Sequence, residues 1–212
     1  MLRETLNVAD FDGNQYRVSH TPLSQMAVGG AEGPKCRTEL CLNGEVLPMV
    51  TKEYSYPKPG DSEKEAMAYF RVWARFRKHG LPVPDKMYLA TLTPTLYFLF
   101  MSDVGIGLRR LVGFNSFMRQ EEMDNACEPF TKKQYSQIWE RMRLVEDKAN
   151  SKRQRISFHN WHVGENKKKN TTVFLLDLGD DNYQLGEGSR YLNDLYVANR
   201  TSLVAFWNWL RV

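Results

Sequence analysis

The chain has 212 residues, enough for one large domain or two small lobes with a sizeable core. With 42% hydrophobic and 25% charged residues it is globular rather than disordered, and a net charge of +4 is too mild to imply nucleic-acid binding. No apolar run reaches transmembrane length, the first residues lack the apolar core of a signal peptide, and Cys36, Cys41 and Cys127 have no metal-binding spacing, so a reducing cytoplasmic setting is expected.

Residues 1–56 read as strands and turns. Tyr16–His20 and Lys35–Leu42 are strands around a glycine-bearing turn at Val28–Pro34. Asn43-Gly44 marks a hairpin into a third strand, Val46–Tyr54. Ser62 with Glu65 three positions on is a capping box opening a helix. Its apolar stripe is Ala66, Tyr69, Phe70, Trp73 and Phe76; Gly80 is its C-terminal glycine, and Pro82 and Pro84 stop it. Lys86–Leu92 and Thr95–Met101 form a strand hairpin. Ser102–Gly107 breaks the pattern and separates an N-lobe, 1–101, from a C-lobe, 108–212.

The second half is mostly helical. Leu108–Val112 starts a short helix. Thr131 and Gln134 form a second capping box, ahead of Tyr135, Ile138, Trp139, Met142 and Val145 on one helical face. Residues 153–166 read as loop. Val173–Leu176 is a short strand, and Leu192 to Leu210 follow helical spacing. The order indicates an α+β fold in two lobes.

Four separated segments suit the binding of a nucleoside triphosphate and a metal. Gly29, Gly30 and Gly33 let backbone N–H groups approach phosphate oxygens. Lys52, on a strand, can neutralise phosphate charge if a helix carboxylate fixes it; Glu65 and Glu63 compete for that role. The third segment is His159–Asn166 and the fourth Asp177-Leu178-Gly179. Asn166 and Asp177 offer the oxygen ligands that Mg²⁺ prefers. Taken singly, each has a plainer use: a turn, a cap, a surface loop. The ordered set carries the argument.

In that order the residues resemble the protein-kinase-like superfamily. Lys52 matches its strand-three lysine and Glu65 its helix-C glutamate. His159–Asn166 aligns with H-R-D-L-x-x-x-N and Asp177-Leu178-Gly179 with D-F-G. Tyr97–Gly105 looks like the last N-lobe strand and hinge, which puts Met101 and Asp103 at the nucleotide. Glu63–Pro84 is similar to the aminoglycoside-phosphotransferase-like and lipopolysaccharide-core kinases. The resemblance implies a two-lobed protein-kinase-like fold with a truncated helical C-lobe, since only residues 178–212 follow Asp177. It implies ATP and magnesium as cofactors and transfer of phosphate to a hydroxyl of a protein or polar small molecule. Bacterial effectors that act in host cells include minimal kinases of this length, which makes secretion a further option.

One position departs. The pattern's catalytic aspartate falls at Trp161, and an indole accepts no proton. Three accounts stand side by side. The chain is a pseudokinase serving as an interaction module; a substitute such as His162, Glu165 or Asp177 serves as base; or the alignment is displaced and His162 holds the base position. His159 reads as structural, beneath the loop. Lys167-Lys168-Lys169 reads as a solvated turn, and Trp73, Trp139, Trp207 and Trp209 as core. The basic set Arg141, Arg143, Lys148, Lys152, Arg153 and Arg155 is a minor candidate for an acidic partner.

Overall fold

A computed structural model describes residues 4–27, 35–58, 60–104, 130–166, 168, 170–176, 178 and 189–211. The glycine turn with Gly29, Gly30 and Gly33, the helix expected at Leu108–Val112, Cys127 and Asp177 lie outside them. The chain divides into two compact units, residues 1–74 with 84–103, and residues 75–83 with 104–212.

The first unit is a closed barrel with strand order β1-β2-β3-β4-β6-β5. Its strands are β1 (Glu4–Ala9), β2 (Gln15–Ala27), β3 (Lys35–Leu42), β4 (Glu45–Ser55), β5 (Met87–Thr93) and β6 (Leu96–Ser102). All neighbours are antiparallel. A closed six-stranded barrel is not the usual N-lobe of the superfamily resembled, and here the structure departs from expectation. β6 also continues through Ser102, one residue into the segment read as a hinge.

Local chemistry explains the hairpins. Asn43 and Gly44 both have positive φ, 51° and 84°, which the tight turn between β3 and β4 requires. Alternating side chains then fill the barrel: Val8, Val18, Leu40, Leu47, Met49, Tyr88, Ala90 and Phe100 form its core. Closure between β1 and β5 rests on one register pair, Ala9 with Leu89.

Helix α1 (Asp61–Lys78) begins one residue before Ser62. Ser62 therefore does not cap it. Its buried hydroxyl accepts from Tyr56 N at 2.8 Å and donates to Thr95 O at 2.7 Å, tying the strand ends together. At the other end Gly80 N donates to Arg77 O and Leu81 N to Phe76 O, a Schellman pair, with Gly80 at φ 66°.

The second unit holds α2 (Lys132–Ser151), a 3-10 turn (Phe158–Asn160), β7 (Trp161–Glu165), β8 (Thr171–Leu175) and α3 (Ser189–Arg211). The Thr131–Gln134 capping box opens α2 as expected. Strands β7 and β8 pair antiparallel, so residues 161–165 are strand and not loop. Helices α2 and α3 meet through Trp139 and Trp207, whose ring centroids lie 4.9 Å apart. Asn199 is fully buried on α3. It donates to Asn150 Oδ1 and Gln154 O and accepts from Ile156 N, pinning the end of α2.

A Cβ on Gly80 would sit 2.7 Å from Lys148 Nζ. A lysine tip swings aside easily, so the left-handed backbone sets the cost. Gly80→Ala is expected to lose about 1–2 kcal/mol of stability in urea denaturation, and Gly80→Asn less.

Candidate functional site

In the barrel unit, Lys52 lies on β4 and is 1% exposed. Tyr54, two residues on and therefore on the same strand face, has its ring centroid 5.3 Å from the ammonium. Tyr69 of α1 has its centroid at 4.9 Å. The Tyr69 hydroxyl contacts Met101 Sδ at 3.9 Å, which links Lys52 to the end of β6. Cation–π contacts of this kind are worth about 2 kcal/mol when desolvated. The penalty for burying an ion is several kcal/mol, so the two rings offset part of that cost.

Neither helix glutamate forms an ion pair with Lys52 among the described residues. Glu65 is half-buried on α1, one helical turn before Tyr69 on the same face. The Tyr69 ring is the group of that face seen over the lysine. Glu63, the rival, faces the buried Tyr97 hydroxyl. Burial first, and the Glu63 carboxylate second, push that phenol above its ordinary range. Asp103 pairs with Arg37 of β3 at 3.3 Å, and its backbone N–H donates to Pro48 O.

In the helical unit the structure moves the centre of the third segment. Asn166 is at the turn between β7 and β8. Its carboxamide oxygen accepts from Lys168 N at 2.9 Å and Asn170 N at 3.1 Å. Both lone pairs are engaged in closing the turn. The whole of β8 separates this turn from Leu176, the residue preceding Asp177, and five strand residues span about 16 Å. Asn166 thus stands at the far end of the hairpin from Leu176; Asp177 lies outside the described residues.

Asn160 stands at the near end and is fully buried. Its Oδ1 accepts from Ser157 N at 2.8 Å and Ser157 Oγ at 3.0 Å, and its Nδ2 donates to Leu176 O at 3.1 Å. Leu176 N returns a bond to Asn160 O at 2.9 Å. Sequence reading missed this residue. Its available signal was an asparagine directly before the Trp161/Val163 alternation that pairs with Val173 and Leu175.

Trp161 is 1% exposed and donates from Nε1 to Ser202 Oγ at 2.9 Å, so it is a core residue. His162 is half-buried on the opposite face of β7, paired in register with Phe174. It belongs to a strand rather than to a loop that presents a base. His159 is exposed and edge-on to Phe158 at 5.5 Å, not buried beneath the segment. With the oxygens of Asn160 and Asn166 both committed, neither residue fits magnesium in this arrangement. Among the described residues no three His, Cys, Asp or Glu side chains gather as a metal site. No helix of the described residues is long and apolar enough to cross a membrane.

The fold can be compared with known proteins. No family model matches the chain, and no curated protein sequence does. Among solved structures it is similar to the ROP18 kinase domain in complex with AMP-PNP and sucrose, with TM-score 0.51 and 14% identity. That match covers 87% of this chain but 58% of the other, so the chain spans less than two thirds of its length. The likeness is one of fold, and it supports a kinase-like α+β arrangement.

The two asparagines make separable predictions. Asn160→Ala removes a buried carboxamide's bonds to the half-buried Ser157 and Leu176 and is expected to cost about 3 kcal/mol. Asn166→Ala, at a solvated turn, should cost about 1 kcal/mol or less. Urea denaturation of both variants measures the difference.

Proposed function

We propose that this protein is a kinase-like fold that works as a binding module, with the phosphoryl-transfer machinery of that fold given up. The carrying observation is the absence of a base. Between Asp147 and Glu165 the chain has no aspartate or glutamate. Aligning the pattern's asparagine with Asn166 puts Trp161 at the base position. Aligning it with Asn160, the residue that directly precedes β7, puts Arg155 there. Neither is a proton acceptor at neutral pH. The loss of a general base alone is worth about 10²–10⁴-fold.

Three further features support the reading. The carboxamide oxygens of both candidate asparagines are occupied. Lys52 is buried against the rings of Tyr54 and Tyr69. His162 is carried on a strand. The ROP18 kinase domain is in complex with AMP-PNP; if nucleotide binds to this chain, Lys52, Met101 and the glycines Gly29, Gly30 and Gly33 are the residues that would meet it. ATP would then stabilise the fold without being consumed.

The test combines thermal shift and labelling. Wild type and Asp177→Ala are titrated with ATP, with and without magnesium, and incubated with radiolabelled ATP and broad protein and small-molecule acceptors. We expect no labelling above the Asp177→Ala background, and any thermal stabilisation to be indifferent to magnesium. Magnesium-dependent labelling that disappears in Asp177→Ala would establish the other reading, a phosphotransferase acting on a protein or polar small-molecule hydroxyl.

A further inference from the structure

Away from these residues, the helical unit carries a compact basic surface. Residues 75–84 and 148–164 contain seven lysines and arginines and no aspartate or glutamate. The whole chain is only +4, so everything outside these two stretches nets −3. The fold brings the stretches together. Lys148, in the last turn of α2, has its Nζ 2.7 Å from the Cβ position of Gly80, at the end of α1. Lys152 lies one turn further on the same side of α2, with Arg153 beside it, and Lys78 stands two residues before Gly80. Lys78, Lys148, Lys152 and Arg153 are all exposed, and none forms an ion pair among the described residues.

Structural duties account for little of this charge. The two helix C-termini together present about one negative charge of dipole, and four cations face it. On α2, Glu140 and Asp147 lie about a quarter turn round the helix from Lys148, and Glu146 is buried against Arg200. Arg153 adds a second, independent sign. Helix α2 closes with the same Schellman pair as α1: Gln154 N donates to Ala149 O and Arg153 N to Asn150 O. At the left-handed position α1 has Gly80, at φ 66°, and α2 has Arg153, at φ 52°. A Cβ makes that backbone costly, and glycine avoids the cost. The arginine stands there although its guanidinium bonds to nothing among the described residues. The strain is therefore tolerated without a structural return inside the unit.

The size and setting of the patch select the anion. Along α2 the basic face runs from Arg141 through Lys148 to Lys152, about 16 Å. Five extended residues span that length. A membrane plane or a nucleic-acid duplex is far wider and would lie against the net negative remainder of the chain. The face also carries one exposed leucine, Leu144, where an interfacial helix needs a whole apolar band. We infer that this surface binds a short acidic segment of a partner protein, with its carboxylates over Lys148, Lys152 and Arg153 and an apolar side chain on Leu144. This goes beyond the reading above, because an active kinase would recruit the same segment, and the labelling assay decides that question separately.

The probe is a library of dye-labelled twelve-residue peptides, each with several glutamates at varied distances from one leucine, and counterparts carrying lysine instead. Binding to the full chain is followed by fluorescence anisotropy at physiological salt. Acidic members are expected to bind with Kd below about 0.1 mM and their lysine counterparts not to. The double variant Lys148→Glu, Lys152→Glu is expected to weaken the best binder at least about tenfold. Lys133→Glu reverses a charge about 22 Å away in the first turn of α2, well beyond the screening length, and is expected to change affinity less than about twofold. Arg153→Gly separates use from structure. It is expected to raise the melting temperature by about 2 °C while weakening the peptide about fivefold. Vesicles of phosphatidylserine with phosphatidylcholine, and a short DNA duplex, test the other anions. The inference is overturned if no acidic peptide binds below about 0.1 mM, or if vesicles or duplex bind more tightly than the best peptide. It is equally overturned if the double variant weakens binding no more than Lys133→Glu does, or if Arg153→Gly binds as well as wild type.

Discussion

The helical unit depends on one buried carboxamide. Asn160 receives two bonds from Ser157 and exchanges two with Leu176, which fixes where β7 starts and where β8 ends. Once those ends are joined, strand alternation leaves no freedom. Trp161 and Val163 must face inward, and Trp161 reaches Ser202 of α3. His162 must face the other way, and the turn must fall at residues 166–170. A one-residue slip would put a charged or polar side chain in the place of an indole. The same set of bonds therefore decides both the packing of the unit and which motif residues stand near Leu176.

Elements with local signals were legible in the sequence. The Asn43-Gly44 turn, the Thr131–Gln134 box and the glycine at the end of α1 are satisfied within a few residues, and the chain announces them. The long apolar faces of α1, α2 and α3 were equally plain. β7 was hidden because it is five residues long, contains a glycine, and follows directly on a 3-10 turn. Its identity comes from pairing with β8. Ser62 misled for a related reason: its residue type suits a cap, but a contact with Thr95, thirty-three positions away, claimed the hydroxyl.

The candidate site was legible in order but not in geometry. Lys52 was singled out as a lysine for phosphate charge; in the structure it is buried, with Tyr54 and Tyr69 among the groups around it. A helix presents positions four apart on one face, so Glu65 and Tyr69 were interchangeable on the basis of spacing alone. The spacing rule singled out Asn166, which closes a turn, while the fully buried asparagine bonded on both sides is Asn160. The likeness to the ROP18 kinase domain, at 14% identity, is one of fold.

The closed barrel has a consequence for association. Every described strand of the first unit has a neighbour on both sides, so its ladder offers no free edge to a strand from another molecule. Recruitment by backbone pairing, and edge-to-edge aggregation with it, is suppressed there. The one thin place is the seam at Ala9 and Leu89. Any association through that unit is left to side-chain chemistry on its outer face.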